Sequence, residues 1–202
     1  MKKILVWDIP TRVGHWLLVA AFALSFLTGD SEEARLYHVA AGYAVGGVLL
    51  FRLIWGAAGT RYARFKSFLF TPGQVFGYLG SLLRGKPEHW IGHNPAGSYA
   101  IYLLVLLGLG TVASGVATYL EFGGEWVEEA HDAMSYAMLG MVAIHVAGVV
   151  VSSRLHRENL ARSMVTGYKH GERAEEIETA KTAYAVLPIA LASLASLLVF
   201  VT

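Results

Sequence analysis

Residues 131–145 read His131-Asp132-Ala133-Met134-Ser135-Tyr136-Ala137-Met138-Leu139-Gly140-Met141-Val142-Ala143-Ile144-His145, a run of mostly small and apolar residues that opens and closes on histidine. On an α-helix, at about 1.5 Å and 100° per residue, the two imidazoles lie about 21 Å apart along the axis and only about 40° apart in direction. They share one face at two depths.

The rest of the chain places that helix in a membrane. Of 202 residues, 55% are hydrophobic and 15% charged, and the mean hydropathy is +0.49, well to the apolar side of a soluble domain. Five apolar stretches approach the roughly 20 residues a spanning helix needs, at about 13–28, 36–55, 98–119, 131–152 and 183–201. The first is read as a retained helix rather than a leader, because Arg12 and His15 interrupt it and no small-x-small cleavage site follows. Between the second and third, Thr71-Pro72-Gly73 introduces Val75, Phe76, Leu79, Leu82 and Leu83 at helical spacing, which predicts an amphipathic helix in the interface. Pro188 is tolerable inside the fifth span, which looks like packing or partner surface. No repeat or second domain is evident, so residues 1–202 are expected to form one transmembrane domain.

Charge gives the orientation. Lys2, Lys3 and Arg12, the second connection and the fourth connection carry the bases, whereas the first and third carry acids. Basic loops stay inside, so the N-terminus is expected in the cytoplasm and the C-terminus outside. His15 then lies near the inner end of the first span and His38 near the outer end of the second. Matched depths pair His15 with His145 and His38 with His131; other pairings would have to cross much of a hydrocarbon core about 30 Å thick.

Cysteine is absent, which excludes disulfides, cysteine-ligated clusters and covalently attached c-type haem. Two facing imidazoles with no carboxylate or thiolate to complete a tetrahedral shell suit the axial positions of a haem better than zinc. Gly42, Gly46 and Gly47 follow His38; their bare backbone fits a flat macrocycle and close helix packing equally well. Arg12, Arg52 and Arg154 at the inner boundary and Arg35 at the outer are candidates for binding haem propionates. His89, His93, His156 and His170 fall in inner connections, where interfacial or solvated roles are expected.

The sequence resembles the bacterial di-haem cytochrome b561 family, which is similar to the b-type cytochrome subunits of nickel–iron hydrogenases. The resemblance rests on Val6-Trp7-Asp8-Ile9-Pro10-Thr11-Arg12 with His15-Trp16, on His38 with Gly42-Tyr43, and on Phe51-Arg52-Leu53-Ile54-Trp55-Gly56. It continues through Arg61-Tyr62-Ala63-Arg64-Phe65, Gly92-His93-Asn94-Pro95-Ala96-Gly97, the His131 and His145 pair, and Leu155-His156-Arg157-Glu158-Asn159-Leu160. It spans about residues 5–170. It implies an all-α four-helix transmembrane bundle holding two non-covalent b haems on His15, His38, His131 and His145, with the fifth C-terminal helix outside the shared core. It also implies electron transfer in the bacterial inner membrane between the quinone pool and a redox partner at the periplasmic face, such as a c-type cytochrome.

Three alternatives stand beside that expectation: a superoxide:quinone oxidoreductase, the membrane anchor of a hydrogenase or dehydrogenase, and a transporter using histidines as a proton relay. Lipid surrounds the bundle, a homodimer is left open, and nothing calls for a nucleic acid. The acidic outer loops are equally suited to steering a basic carrier and to plain solvation.

Overall fold

The computed structural model describes residues 2–86 and 88–201. Helices α1 (Ile9–Thr28), α2 (Arg35–Ala58), α4 (Pro95–Tyr119) and α5 (Glu125–His156) are long and apolar enough to cross a membrane. The amphipathic α3 (Pro72–Leu83) lies between α2 and α4, and a short α6 (Leu160–Thr166) follows α5. A fifth candidate span, Thr182–Phe200, is α7 (Val186–Ser196) extended by a 3-10 turn at each end. The protein is therefore a helical, multi-pass membrane protein.

Local chemistry sets the helix starts. Asp8 caps α1 by accepting the Thr11 amide at 2.8 Å, with Pro10 in the first turn, and Asn94 caps α4 by accepting the Gly97 amide at 2.7 Å, followed by Pro95. Thr71 and Gln74 cap α3 reciprocally. Helix α5 runs for 32 residues, about 48 Å, and so outreaches a hydrocarbon core of about 30 Å at its ends. It is longer than the 131–152 stretch because Glu125, Glu128, Arg154 and His156 continue the helix into the polar zones.

The packing order is α1 on α2, α2 on α4, and α4 on α5. Helix α5 makes no extended contact with α1 or α2; it meets α1 through an edge-on contact of Phe26 and Tyr136. Helix α7 packs along α2 and α1, so the fifth span is an integral layer of the bundle. The glycines after His38 divide by neighbour. A Cβ at Gly47 would strike the backbone of Leu191 in α7, one at Gly46 would press on Val112 of α4 at 3.0 Å, and one at Gly42 would touch Ser25 loosely at 3.9 Å. Gly47 thus serves close helix packing.

One end of the bundle carries a small cap that hydropathy does not reveal. Strand β1 (Lys2–Leu5) pairs antiparallel with β2 (Tyr168–Gly171), Ile4 opposite Lys169. Ile4, Val6, Trp7, Tyr62 and Ile177 bury their side chains there. The Tyr62 hydroxyl donates to the Glu175 carbonyl at 2.8 Å, and the Ile9 amide donates to Ala180 at 2.9 Å. The cap gathers the N-terminus with the second and fourth connections, the three most basic segments, at one end.

Candidate functional site

His38, in the first turn of α2, and His131, in the second turn of α5, come together at the acidic end. Their ring centres are 6.1 Å apart and their planes nearly perpendicular, at 86°. The Nδ1 of His38 lies 2.8 Å from the carbonyl oxygen of Ser25 in α1, and the Nδ1 of His131 lies 2.9 Å from that of Thr111 in α4. A carbonyl can only accept, so each Nδ1 carries a proton and donates it, and in the neutral imidazole Nε2 is then the nitrogen with the lone pair. This is the tautomer a metal-ligating imidazole requires, oriented by the carbonyl behind it.

The spacing fits one metal between the rings. With metal–nitrogen bonds of about 2 Å and each ring centre roughly 1 Å behind its nitrogen, two coaxial imidazoles stand about 6 Å apart. Among the described residues no group of three or more His, Asp or Glu could hold a metal ion, so the donor set offers two imidazoles and no tetrahedral shell. A b haem, whose porphyrin supplies the other four ligands, suits that set. Room beside the pair is guarded by Gly115 of α4, where a Cβ would come within 2.7 Å of the His131 ring.

The second pair is looser. His15 of α1 and His145 of α5 are close enough to act on each other electrostatically, at the end of the bundle nearer the cap. No ring contact joins them, and the Nδ1 of His15 is buried without a hydrogen-bond partner.

Two arginines flank this pair at the cap end of the bundle. Arg12 stands one turn before His15 and donates through Nη1 to the Val165 carbonyl at 2.5 Å, while its Nε is buried and unpartnered. Arg52 donates to the Ala63 carbonyl at 3.0 Å and lies 4.5 Å over the ring of Phe65. Among the described residues neither has a carboxylate within ion-pair distance. Asp8, fully buried, is occupied instead: it accepts from the Trp55 indole at 3.0 Å and from the Thr60 hydroxyl as well as capping α1.

Of the interfacial or solvated roles expected for His93, the solvated one does not hold. It is wedged between Phe68 and Trp7, ring centres 4.3 and 4.8 Å away, and its Nδ1 is buried and unpartnered. Burial first, and then the Arg52, Lys169 and His145 charges, push its pKa down to about 3. By solvent exposure the residue is half-buried. The other histidines stay apart from the pairs. Both ring nitrogens of His156 face main-chain carbonyls, of Ser152 at 2.9 Å and Glu88 at 3.1 Å, while His89 and His170 are exposed.

The model of one protein family, described as prokaryotic cytochrome b561, matches residues 6–167. Among curated proteins, a probable Ni/Fe-hydrogenase B-type cytochrome subunit of Cupriavidus necator is 25% identical over 84% of this chain and 88% of its own length. A protein of Rhodobacter capsulatus with the same description is 23% identical over 83% of this chain and 81% of its own. A probable Ni/Fe-hydrogenase 1 B-type cytochrome subunit of Escherichia coli is 30% identical over 57% and 60%. No solved structure matches the chain significantly.

Proposed function

Because the chain belongs to the prokaryotic cytochrome b561 family, and so is a b-type membrane cytochrome working in electron transfer, we propose that it is a two-centre conduit across the bacterial inner membrane. One b haem is held by His38 and His131 near the outer face, and the other by His15 and His145 nearer the cap. The observation that carries this reading is the 6.1 Å juxtaposition of His38 and His131 with both Nε2 lone pairs free.

Haem iron supplies a one-electron couple when bound. The chain's own residues do the rest. Ser25 and Thr111 fix the tautomer and rotation of the outer imidazoles through their carbonyls. A haem held by two imidazoles would keep no ligand site open to oxygen, so the chemistry it would supply here is electron transfer. Arg12 and Arg52, lacking carboxylate partners in the inner half, hold propionates. Asp8 keeps that corner rigid by tying α1 to Trp55 and Thr60.

The gathering of the basic segments in the cap supports an N-terminus in the cytoplasm, with the short connections 29–34 and 120–124 in the periplasm. Electrons then pass between quinone in the lipid and a redox partner at the periplasmic face. The descriptions of the relatives support a second reading, in which that partner is a hydrogenase and this chain its membrane subunit. A reduced-minus-oxidised spectrum with haem quantification tests the proposal: two b haems per chain are expected, and a colourless protein made with ample haem supply refutes it.

A further inference from the structure

Most hydroxyls near the His38/His131 pair are already engaged. Ser114 donates to the Gly110 carbonyl at 2.8 Å, Thr28 to the Leu24 carbonyl at 2.7 Å, and Ser25 to the His38 carbonyl at 3.3 Å. The first two make the usual bond of a helical hydroxyl to the carbonyl four residues back. Thr118 breaks the pattern. Its hydroxyl oxygen is buried and has no hydrogen-bond partner, although the carbonyl of Ser114 stands four residues behind it. We propose that Thr118 donates to a propionate carboxylate of the haem held by His38 and His131. This rests on the two-centre reading above.

Position supports the assignment. Gly115 is level with the imidazole, since a Cβ there would come within 2.7 Å of the His131 ring. Thr118 lies three residues farther along α4, about 4.5 Å nearer the acidic end and about 60° around the helix, so the two positions share a face. Helix α4 ends at Tyr119, which puts Thr118 in its last turn, where the span gives way to the polar connection 120–124. A propionate needs such a place, because an ionised carboxylate is costly in hydrocarbon while the porphyrin itself belongs in the apolar layer. Thr111 also has a buried hydroxyl without a partner. It stands four residues to the other side of Gly115, about 6 Å deeper, where a carboxylate would be stranded. Thr118 is the hydroxyl at propionate depth.

The chemistry agrees. The stretches 29–35 and 120–132 contain a single lysine or arginine, Arg35, and it is exposed. The cap end has the half-buried Arg12 and Arg52 for its propionates; these two stretches have no buried cation. A carboxylate accepts and a threonine hydroxyl donates, and a hydrogen bond to an ionised acceptor is shorter and stronger than a neutral one. A buried hydroxyl left unpaired costs stability that a valine of the same shape would spare the helix.

The test compares Thr118→Val, which keeps the branched shape and removes the hydroxyl, with Thr118→Ser, which keeps the hydroxyl. In haem titrations of the full chain in detergent, Thr118→Val should weaken the centre that His38→Ala removes by about tenfold, the size of one lost hydrogen bond to a charged group. Resonance Raman spectra should show the propionate bending band of that haem shifted. Thr118→Ser should restore both affinity and band, and the His15/His145 centre should be unchanged in either variant. Unaltered affinity and propionate bands in Thr118→Val overturn the proposal, and so does an equal loss in the valine and serine forms, which would make the role one of packing. Loss of both haems in Thr118→Val also counts against it, because a contact with one propionate does not empty the other centre. One haem per chain in the unaltered protein overturns the two-centre reading instead. The Thr118 contact then stands if that haem is the one lost in His38→Ala and its propionate band moves in Thr118→Val, and falls otherwise.

Discussion

Gly115 offers a sharp test of the His38/His131 pair, because it contacts the ring of His131 without being a ligand. A Cβ at this position would lie 2.7 Å from Cε1 and 3.0 Å from Nδ1 of that ring. Carbon atoms in ordinary contact stand about 3.5 Å apart or more, so Gly115→Ala displaces the imidazole by about 0.8 Å unless α4 and α5 separate. Displaced by that much away from α4, the 2.9 Å bond from Nδ1 to the Thr111 carbonyl would exceed the hydrogen-bond range. Losing a bond of this kind behind a ligating histidine typically lowers metal affinity about 10- to 100-fold. The alanine itself favours the helix by about 1 kcal/mol over glycine, so any loss is local to the site and not a failure of α4 to form. The assay is haem titration of purified protein followed by the Soret band, with low-temperature spectra to tell the centres apart. Selective weakening of one centre is expected, the same one that His38→Ala removes. Unchanged occupancy of both centres, or loss of the centre that depends on His15, would refute the reasoning.

Asp8→Ala removes the α1 cap and strands two donors, the buried Trp55 indole and the part-buried Thr60 hydroxyl. A lost cap costs about 1 kcal/mol and each stranded donor about 1–3 kcal/mol, so a loss of roughly 3–7 kcal/mol in detergent unfolding is expected, with Asp8→Asn milder. Gly47→Leu should expel α7 from α2, because the backbone of Leu191 already occupies the space; enhanced proteolysis after residue 181 would report it, and an undisturbed α7 would contradict the packing. Lys169 is buried in the cap, 3.4 Å from Glu158, and burial holds its pKa below the usual lysine value although Glu158 opposes the shift. For a base whose folded pKa is lowered, the unfolded chain binds more protons between the two pKa values, so stability rises with pH across that alkaline window. Glu158→Gln leaves the buried ammonium unpaired and should cost about 3 kcal/mol at neutral pH, shrinking as pH climbs toward the lysine range. A penalty that does not change with pH would contradict the pairing.

The spans and the amphipathic helix were legible because a bilayer demands about 20 apolar residues and an interface demands one apolar face. The meeting of His38 with His131 was also legible, since depth and charge bias leave few partners for an intramembrane imidazole. What escaped were features decided by tertiary contact. The pairing of Lys2–Leu5 with Tyr168–Gly171 joins segments more than 160 residues apart, and four residues carry too little periodicity to announce a strand. His93 looked solvated because loops usually are, yet Trp7 and Phe68 enclose it. The division of labour among Gly42, Gly46 and Gly47 depended on which neighbour each faces, and α7 could be placed against Gly47 only in three dimensions. The carbonyls of Ser25 and Thr111 behind His38 and His131 belong to the backbone, so no residue type in the sequence marks them.

The central claim is that four histidines grip two haems as fixed couples, and single alanine variants probe it most directly. Haem content and reduced spectra of His15→Ala, His38→Ala, His131→Ala and His145→Ala should fall into two matching sets. His15 and His145 variants lose one centre, and His38 and His131 variants lose the other. Loss of the same centre in both His15→Ala and His38→Ala would contradict the account.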